Sequence, residues 1–283
     1  MPELTSKLVF GAASLGMSYG LPRPGGPANT APSEAAAGKL VERALALGID
    51  TFDTAPAYGD SEARLGAILG TRGRVWTKVA AGDPSQSLDA SLARLRRKRV
   101  ELLQWHNWTA ALAKDAAWTA AWTALRGDAR VERLGATTYG IADAKAAAAS
   151  GLFDVIQCEF NLLNQGVVAA LAGRTTTAVR SVLLQGALTD EGRELPPLPA
   201  LRDAIDRARI VAHGYGLTRL ALRFALEHRA IDHVLVGIDR KEQLDEAVDI
   251  AKGEELSAEH RAVIATLDLA GDPACDPRTW PRA

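Results

Sequence analysis

Ile49-Asp50-Thr51-Phe52-Asp53-Thr54-Ala55-Pro56-Ala57-Tyr58-Gly59 joins a short apolar run to a turn-forming segment and puts an acid and a phenol at the junction. Two later runs have the same character: Val75–Val79 contains Lys78, and Val100–Trp105 leads directly into His106. If these runs are neighbouring parallel strands, Asp53, Tyr58, Lys78 and His106 gather at one end of a sheet. Residues alternate faces along a strand. Trp76 therefore shares a face with Lys78, and Leu102 and Gln104 share one with His106, while Val75, Thr77 and Val79 face the helix layer. An inward lysine needs a partner, because an unpaired buried cation is costly. Asp53 supplies the carboxylate. A phenol is a poor acid near neutrality, with a reference pKa of about 10, but a neighbouring lysine cation favours the phenolate. Such a set can protonate a carbonyl oxygen while a hydride reaches the carbon.

Outward from this stretch, strand-like and helix-like runs alternate along the chain. The expected strands are Leu8–Phe10, Ile49–Phe52, Val75–Val79, Val100–Trp105, Arg133–Thr137, Val155–Cys158, Ala178–Leu184 and Val234–Val236. Leu40, Ala44 and Leu47 share one face of a helix running from Ser33, and Gly48 follows as its cap. Asp83-Pro84-Ser85-Gln86 has the form of a helix start, with an N-cap and a proline in the first turn. About eight βα units with no polar linker between them predict a closed (β/α)8 TIM barrel, an α/β fold, as one domain over residues 1–283. Gly20–Pro32 and Gly186–Ala200 are expected as long loops after the first and seventh strands.

Composition narrows the function classes. The 283 residues carry a formal net charge of −1, so neither nucleic acid nor a membrane surface is expected as a partner. The run Arg94-Leu-Arg96-Arg97-Lys98-Arg99 fits the solvated end of a helix, where cations suit the dipole. Cys158 and Cys275 are the two cysteines, which does not suggest a disulfide framework. No signal peptide or apolar stretch of about 20 residues is apparent, and a cytoplasmic location is expected. No metal is expected, and both a monomer and a homo-oligomer fit. Asn107-Trp108-Thr109 matches a glycosylation sequon, without meaning outside a secretory context.

Taken singly, each reactive group has a plainer role: Asp53 as a turn residue, Tyr58 as a loop tyrosine, His106 as a core histidine. Their conjunction, and the motifs after them, resemble the aldo-keto reductase superfamily. The resembling segments are Asp53-Thr-Ala-x-x-Tyr58-Gly59, Leu134-Gly-Ala-Thr-Thr-Tyr139, Gln157-Cys-Glu-Phe-Asn161, Arg180-Ser-Val-Leu-Leu-Gln-Gly186 and Val236-Gly-Ile-Asp239. They occur in the family's order from about Leu8 to Leu256, with the character of a short-loop bacterial branch. The resemblance implies an oxidoreductase that reduces an aldehyde, ketone or sugar with a nicotinamide cofactor, or runs the reverse oxidation. Tyr58 is then the proton donor, Lys78 tunes it, Asp53 holds Lys78, and His106 orients the carbonyl and shares the proton relay.

The resemblance also implies the cofactor contacts. Thr138 and Gln157 fall at the nicotinamide carboxamide, where an amide side chain both donates and accepts, and Thr137 is a further cofactor-binding residue. Arg180 stands where many members stack an aromatic ring on the nicotinamide, and a guanidinium is planar enough to stack. Ser181, Leu184 and Gly186 follow it along the cofactor. Gly237, Ile238, Asp239, Arg240 and Gln243 fall at the adenosine end, before a helix whose N-terminal amides suit phosphate. Arg240 or Lys241 is expected to meet a 2′-phosphate, and NADP is expected over NAD, although Asp239 is a like charge there. No Gly-x-Gly-x-x-Gly supports a Rossmann half. Tyr19 and Trp108 are expected at the substrate, while Trp105 should point into the helix layer. Trp280 sits in a tail that often carries a substrate loop, although packing fits it better. Two other functions are compatible with the same residues: a Schiff-base lyase with Lys78 as nucleophile, and a cofactor-sensing regulatory protein.

Overall fold

The computed structural model describes residues 4–24, 29–79, 82–171, 173–269 and 271–280. Eight parallel strands close on themselves in sequence order: β1 (Leu8–Gly11), β2 (Thr51–Asp53), β3 (Arg74–Val79), β4 (Val100–Trp105), β5 (Val131–Thr137), β6 (Val155–Glu159), β7 (Thr176–Arg180) and β8 (His233–Gly237). β8 pairs with β1 from Leu8↔Val234 to Gly11↔Gly237, which closes the (β/α)8 TIM barrel. The largest departure from the expected strands is the seventh. Expected over Ala178–Leu184, β7 starts earlier, at Thr176, and stops at Arg180, because Ser181 takes a left-handed φ of +61° that no strand continues through.

Local signals in the sequence account for the helix boundaries. Ser33 caps the helix Glu34–Ala46 by accepting from the Ala36 amide, and Leu40, Val41 and Ala44 form its buried stripe. Gly48, at φ +85°, turns the chain out of it. Asp83 accepts from the amides of Ser85 and Gln86 at the start of Pro84–Leu95. That helix ends at Arg96, also left-handed, and the following basic residues pair outward: Arg99 with Glu132 at 2.6 Å, and Arg97 with the Gly73 carbonyl at 3.0 Å.

The two faces of the barrel hold different cores. Val9, Trp76, Leu102, Val155, Ala178 and Leu235 fill the interior. Phe10, Phe52, Val75, Val79, Leu103 and Trp105 belong to a much larger layer between strands and helices. Burying one such side chain is worth roughly 1.5–3 kcal/mol, so most of the hydrophobic stabilisation lies between strands and helices. The interior is thereby able to carry polar groups at its C-terminal end. Gly135 makes room for one of them, since a Cβ there would lie 3.1 Å from Leu102 and 3.2 Å from Gln104. Among the described residues, no helix is long and apolar enough to cross a membrane. Residues 25–28 of the expected loop Gly20–Pro32 lie outside the described residues.

Gly16 fixes where the Tyr58 turn sits: a Cβ there would come within 2.0 Å of the Tyr58 carbonyl oxygen and 2.3 Å of the Ser61 nitrogen. Gly16→Ala is expected to destabilise the fold by about 1–3 kcal/mol in chemical denaturation. Gly38→Ala, in a helix position with no atom within 4 Å of the added Cβ, is expected to stabilise it by up to about 1 kcal/mol. Equal effects of the two substitutions would show that the turn does not depend on this close approach.

Candidate active site

Asp53 ends β2, Lys78 lies one residue before the end of β3, and His106 directly follows β4. Parallel pairing brings these ends together, and the turn after β2 carries Tyr58 over them. The Lys78 ammonium is fully buried and donates to Asp53 Oδ2 at 2.6 Å and to the Thr54 carbonyl at 2.8 Å. It lies 4.7 Å from the centroid of the Tyr58 ring. Burial opposes the Lys78 charge, yet Asp53 and Tyr58 outweigh it and hold the ammonium above lysine's ordinary value. Tyr58 and His106 meet edge to face, 5.9 Å between centroids.

The other carboxylate oxygen of Asp53 is also engaged. Gln104 and Gln157 donate to Asp53 Oδ1 at 2.9 and 3.0 Å, and the Gln157 amide nitrogen also donates to the Gln104 oxygen at 3.0 Å. Asp53 is thus a buried acceptor for an ammonium and two amides, and not the cap of its own turn. Gln104 was assigned no role from sequence, although its inward register on β4 was the available signal. Burial, then the charges of Lys78 and Arg180, push His106 down to about 3. His106 is therefore neutral throughout the physiological range, able to donate one hydrogen bond but not to act as an imidazolium.

Beside this cluster opens a cleft reaching from Asp53, Tyr58 and Gln157 to Gln243 and Ala247. Arg180, Ser181, Leu184, Gly186, Gly237 and Asp239 line it, as does Tyr19, whose ring lies 3.7 Å from where a Gly237 Cβ would stand. The chain after β7 forms one wall in an unusual conformation: Ser181, Leu184 and Gln185 all have φ between +44° and +61°. Non-glycine residues in this region are uncommon and cluster at functional sites.

The residues expected at the site divide between the cleft and the packing around it. Trp108 is buried against Phe153, with ring centroids 5.5 Å apart, and does not reach the mouth. The turn through left-handed Asn107 directs it into the strand–helix layer. Trp105 is in that layer as expected, against Trp118 and Trp122. Trp280 is packing: its indole donates to the Ala274 carbonyl at 2.8 Å. The Thr137 hydroxyl accepts from the Asn107 amide at 2.7 Å. Ile238 buries its side chain, and its carbonyl accepts from Ser14. Thr138 keeps a buried hydroxyl with no partner among the described residues. Arg180 does not present a bare face, because its guanidinium stacks 3.9 Å from the Tyr139 ring, which holds Arg278 on its other side at 3.3 Å.

At the far end of the cleft the expected cations are paired. Arg240 is bonded to Glu191, and Lys241 lies 3.6 Å from Asp245. The amides of Asp239 and Arg240 both donate to the Gln243 side chain. Glu191 also takes Arg193 at 3.0 Å and Arg23 at 3.2 Å. Of this cluster only Arg240 carries an expectation from sequence; the signal for Arg23 and Arg193 is the charge inside two loops long enough to meet.

A model of the Aldo/keto reductase family matches residues 7–268, and the chain belongs to that family. It is 28% identical to an L-galactose dehydrogenase from Arabidopsis thaliana, over 98% of this chain and 93% of that one. Its fold is similar to that of an aldo-keto reductase from Bacillus halodurans in its holo form, with TM-score 0.76 and 22% identity over 92% and 91% of the two chains. A glycerol dehydrogenase from Gluconobacter oxydans superposes with TM-score 0.71 at 19% identity, over 92% and 90%.

His106 at about 3 and His233 at about 4 both lie below histidine's ordinary 6.5, chiefly through burial. The unfolded chain then binds protons at these sites between roughly pH 7 and 4 while the native chain does not, so stability should fall as pH drops through that window. Denaturation midpoints at about pH 7 and 4.5 should show it, and His106→Asn should lose less over the same interval. An identical loss in that variant would show that His106 is not held neutral.

Proposed function

We propose that this chain is a nicotinamide-dependent oxidoreductase that interconverts an aldehyde or ketone and the corresponding alcohol. The observation that carries the reading is the fully buried Lys78–Asp53 pair beneath Tyr58, with a neutral His106 against the same ring. A buried ammonium placed there stabilises negative charge on the phenol oxygen as its proton leaves. Tyr58 gives the proton to the substrate oxygen. Lys78, anchored by Asp53, the Thr54 carbonyl and the two glutamines behind them, keeps its own proton. His106 donates a hydrogen bond that orients the carbonyl, and its neutrality removes it from the proton relay expected from sequence. General acid help of this kind is worth roughly 10²–10⁴ in rate.

The cleft suits a dinucleotide. Gln157 has both amide hydrogens committed to Asp53 and Gln104, so its oxygen is left to accept from a carboxamide. The orphaned Thr138 hydroxyl is a further contact for that group. Bound there, the cofactor supplies or takes up the hydride. The raised Lys78 value argues against a Schiff-base nucleophile, which needs the free amine. The named sugar substrate of the Arabidopsis relative supports sugars among the substrates, alongside small carbonyl compounds.

The adenosine end favours NAD over the NADP expected from sequence. Asp239, Glu191 and Glu246 line the cleft there, while Arg240 is engaged by Glu191. A 2′-phosphate near Asp239 would meet a like charge, and would have to draw Arg240 or Arg193 away from Glu191, which they share with Arg23. A charged hydrogen bond is worth roughly 1.5–3 kcal/mol, so its absence corresponds to about a tenfold difference or more.

Tyr58→Phe is expected to lower turnover of a carbonyl panel by about 10²-fold or more while leaving cofactor affinity within about twofold; near-normal turnover would remove Tyr58 from the reaction. In fluorescence titrations NADH is expected to bind at least about tenfold tighter than NADPH, with Asp239→Ser narrowing the gap. Tighter NADPH binding by the unmodified protein would return the assignment to NADP.

A further inference from the structure

Arg180 ends β7 and lines the cleft together with Asp53, Tyr58, Gln157 and Ser181. Its guanidinium donates to the Thr138 carbonyl at 2.7 Å. Thr138 and Gln157 are the two residues assigned to the nicotinamide carboxamide, so a cation stands at the nicotinamide end of the cleft. It is held there. Tyr139 stacks on the guanidinium at 3.9 Å, and Nη2 is committed to Thr138. Nη1 is buried and has no hydrogen-bond partner among the described residues. Arginine keeps its charge at any working pH.

Neighbouring groups weaken this charge without cancelling it in the cleft. Among the described residues, Asp53 is the other charged group lining this end, and Lys78 engages it at 2.6 Å. Glu159 Oε2 lies 3.9 Å from Arg180 Nη2, but Glu159 does not line the cleft, and its Oε1 accepts from the Gly140 amide at 2.7 Å. Charge–charge energies fall with distance, so a ring in the cleft meets the nearer guanidinium first. Arg278, beyond Tyr139, is paired with Asp276 at 2.6 Å. The Arg180 charge already acts on another group here: after burial and Lys78, it helps to keep His106 neutral.

A fixed cation distinguishes the two redox forms of the cofactor. An oxidised nicotinamide is a pyridinium cation, and a reduced one is neutral. Like charges repel, and a water-poor cleft screens them little. The oxidised ring therefore loses affinity beside Arg180, and the reduced ring does not.

We infer that Arg180 selects the redox state of the cofactor: its charge favours the reduced nicotinamide over the oxidised one and draws the enzyme-bound equilibrium toward oxidation of the alcohol. In that direction the alcohol C–H bond breaks with its hydride passing to the nicotinamide, and the O–H proton passes to the Tyr58 oxygen. A tenfold tighter hold on the reduced form raises the two-electron potential of the bound couple by about 30 mV. The equilibrium in free solution is unchanged. The proposal rests on the nicotinamide reading of the cleft.

Calorimetric titration of the full chain with NAD+ and with NADH tests it, read as the ratio of the two Kd values. Arg180→Gln removes the charge and is expected to lower the oxidised-to-reduced ratio by about tenfold. Arg180→Lys keeps the charge without the planar fork and is expected to hold the ratio within about threefold of the unmodified protein. Glu159→Gln removes the opposing carboxylate and should move the ratio the other way, upward by about twofold or more. An arginine that only shaped the wall would weaken both forms alike and leave the ratio in place. An unchanged ratio in folded Arg180→Gln overturns the proposal, as does an equal fall in Arg180→Lys or a fall in Glu159→Gln. If the unmodified protein binds neither form, nor their 2′-phosphorylated counterparts, the nicotinamide reading itself fails and the role of Arg180 falls with it.

Discussion

The buried ion pair between Lys78 and Asp53 is the constraint around which the upper end of the barrel is arranged. Taking two charges out of water is expensive, and their attraction repays it only when geometry is good and remaining hydrogen-bond positions are filled. Every available partner is supplied here. Lys78 also reaches the Thr54 carbonyl, and Asp53 Oδ1 takes two amides that are themselves linked. Gly135 lacks a side chain where Gln104 needs space. The charge is held rigidly at a small cost in reorganisation, which is what stabilising a developing phenolate requires. Removing one partner would strand the other, so substitutions at this pair test folding as much as chemistry.

Around that fixed centre the walls are built from loops. β7 delivers a segment with three left-handed non-glycine residues to one side of the cleft. The same segment carries Glu191, which gathers Arg23, Arg193 and Arg240 from three parts of the chain. On the opposite side the C-terminal tail reaches back: Arg278 and Arg180 sandwich the Tyr139 ring, and Arg180 in turn donates to the Thr138 carbonyl at 2.7 Å. The cation of Arg180 is thereby held close enough to help keep His106 neutral. Fold position thus sets protonation at both key bases, holding lysine charged and histidine uncharged within one small volume.

Much of this was legible in the amino-acid order alone. Short apolar runs separated by amphipathic stretches specify parallel strands with crossover helices, because the two periodicities bury different faces. Strand alternation placed Lys78 and Gln104 inward, and Ser33, Gly48 and Asp83 marked helix ends by local hydrogen bonding that needs no distant partner. Asp53, Tyr58, Lys78 and His106 stood at successive strand ends, so the barrel's parallel order was enough to bring them together.

What the sequence did not determine depends on contacts between segments far apart in the chain. Trp108 is close in sequence to His106 yet points into the helix layer, because one left-handed residue between them reverses the direction of the chain. Arg240 had the composition of a phosphate ligand, but a glutamate 49 residues away claims it. The charge state of His106 followed from burial and from two cations on other strands. Periodicity and capping are local and survive in one dimension. Pairing, desolvation and the direction of a loop are properties of the closed barrel, and the tertiary structure decided them.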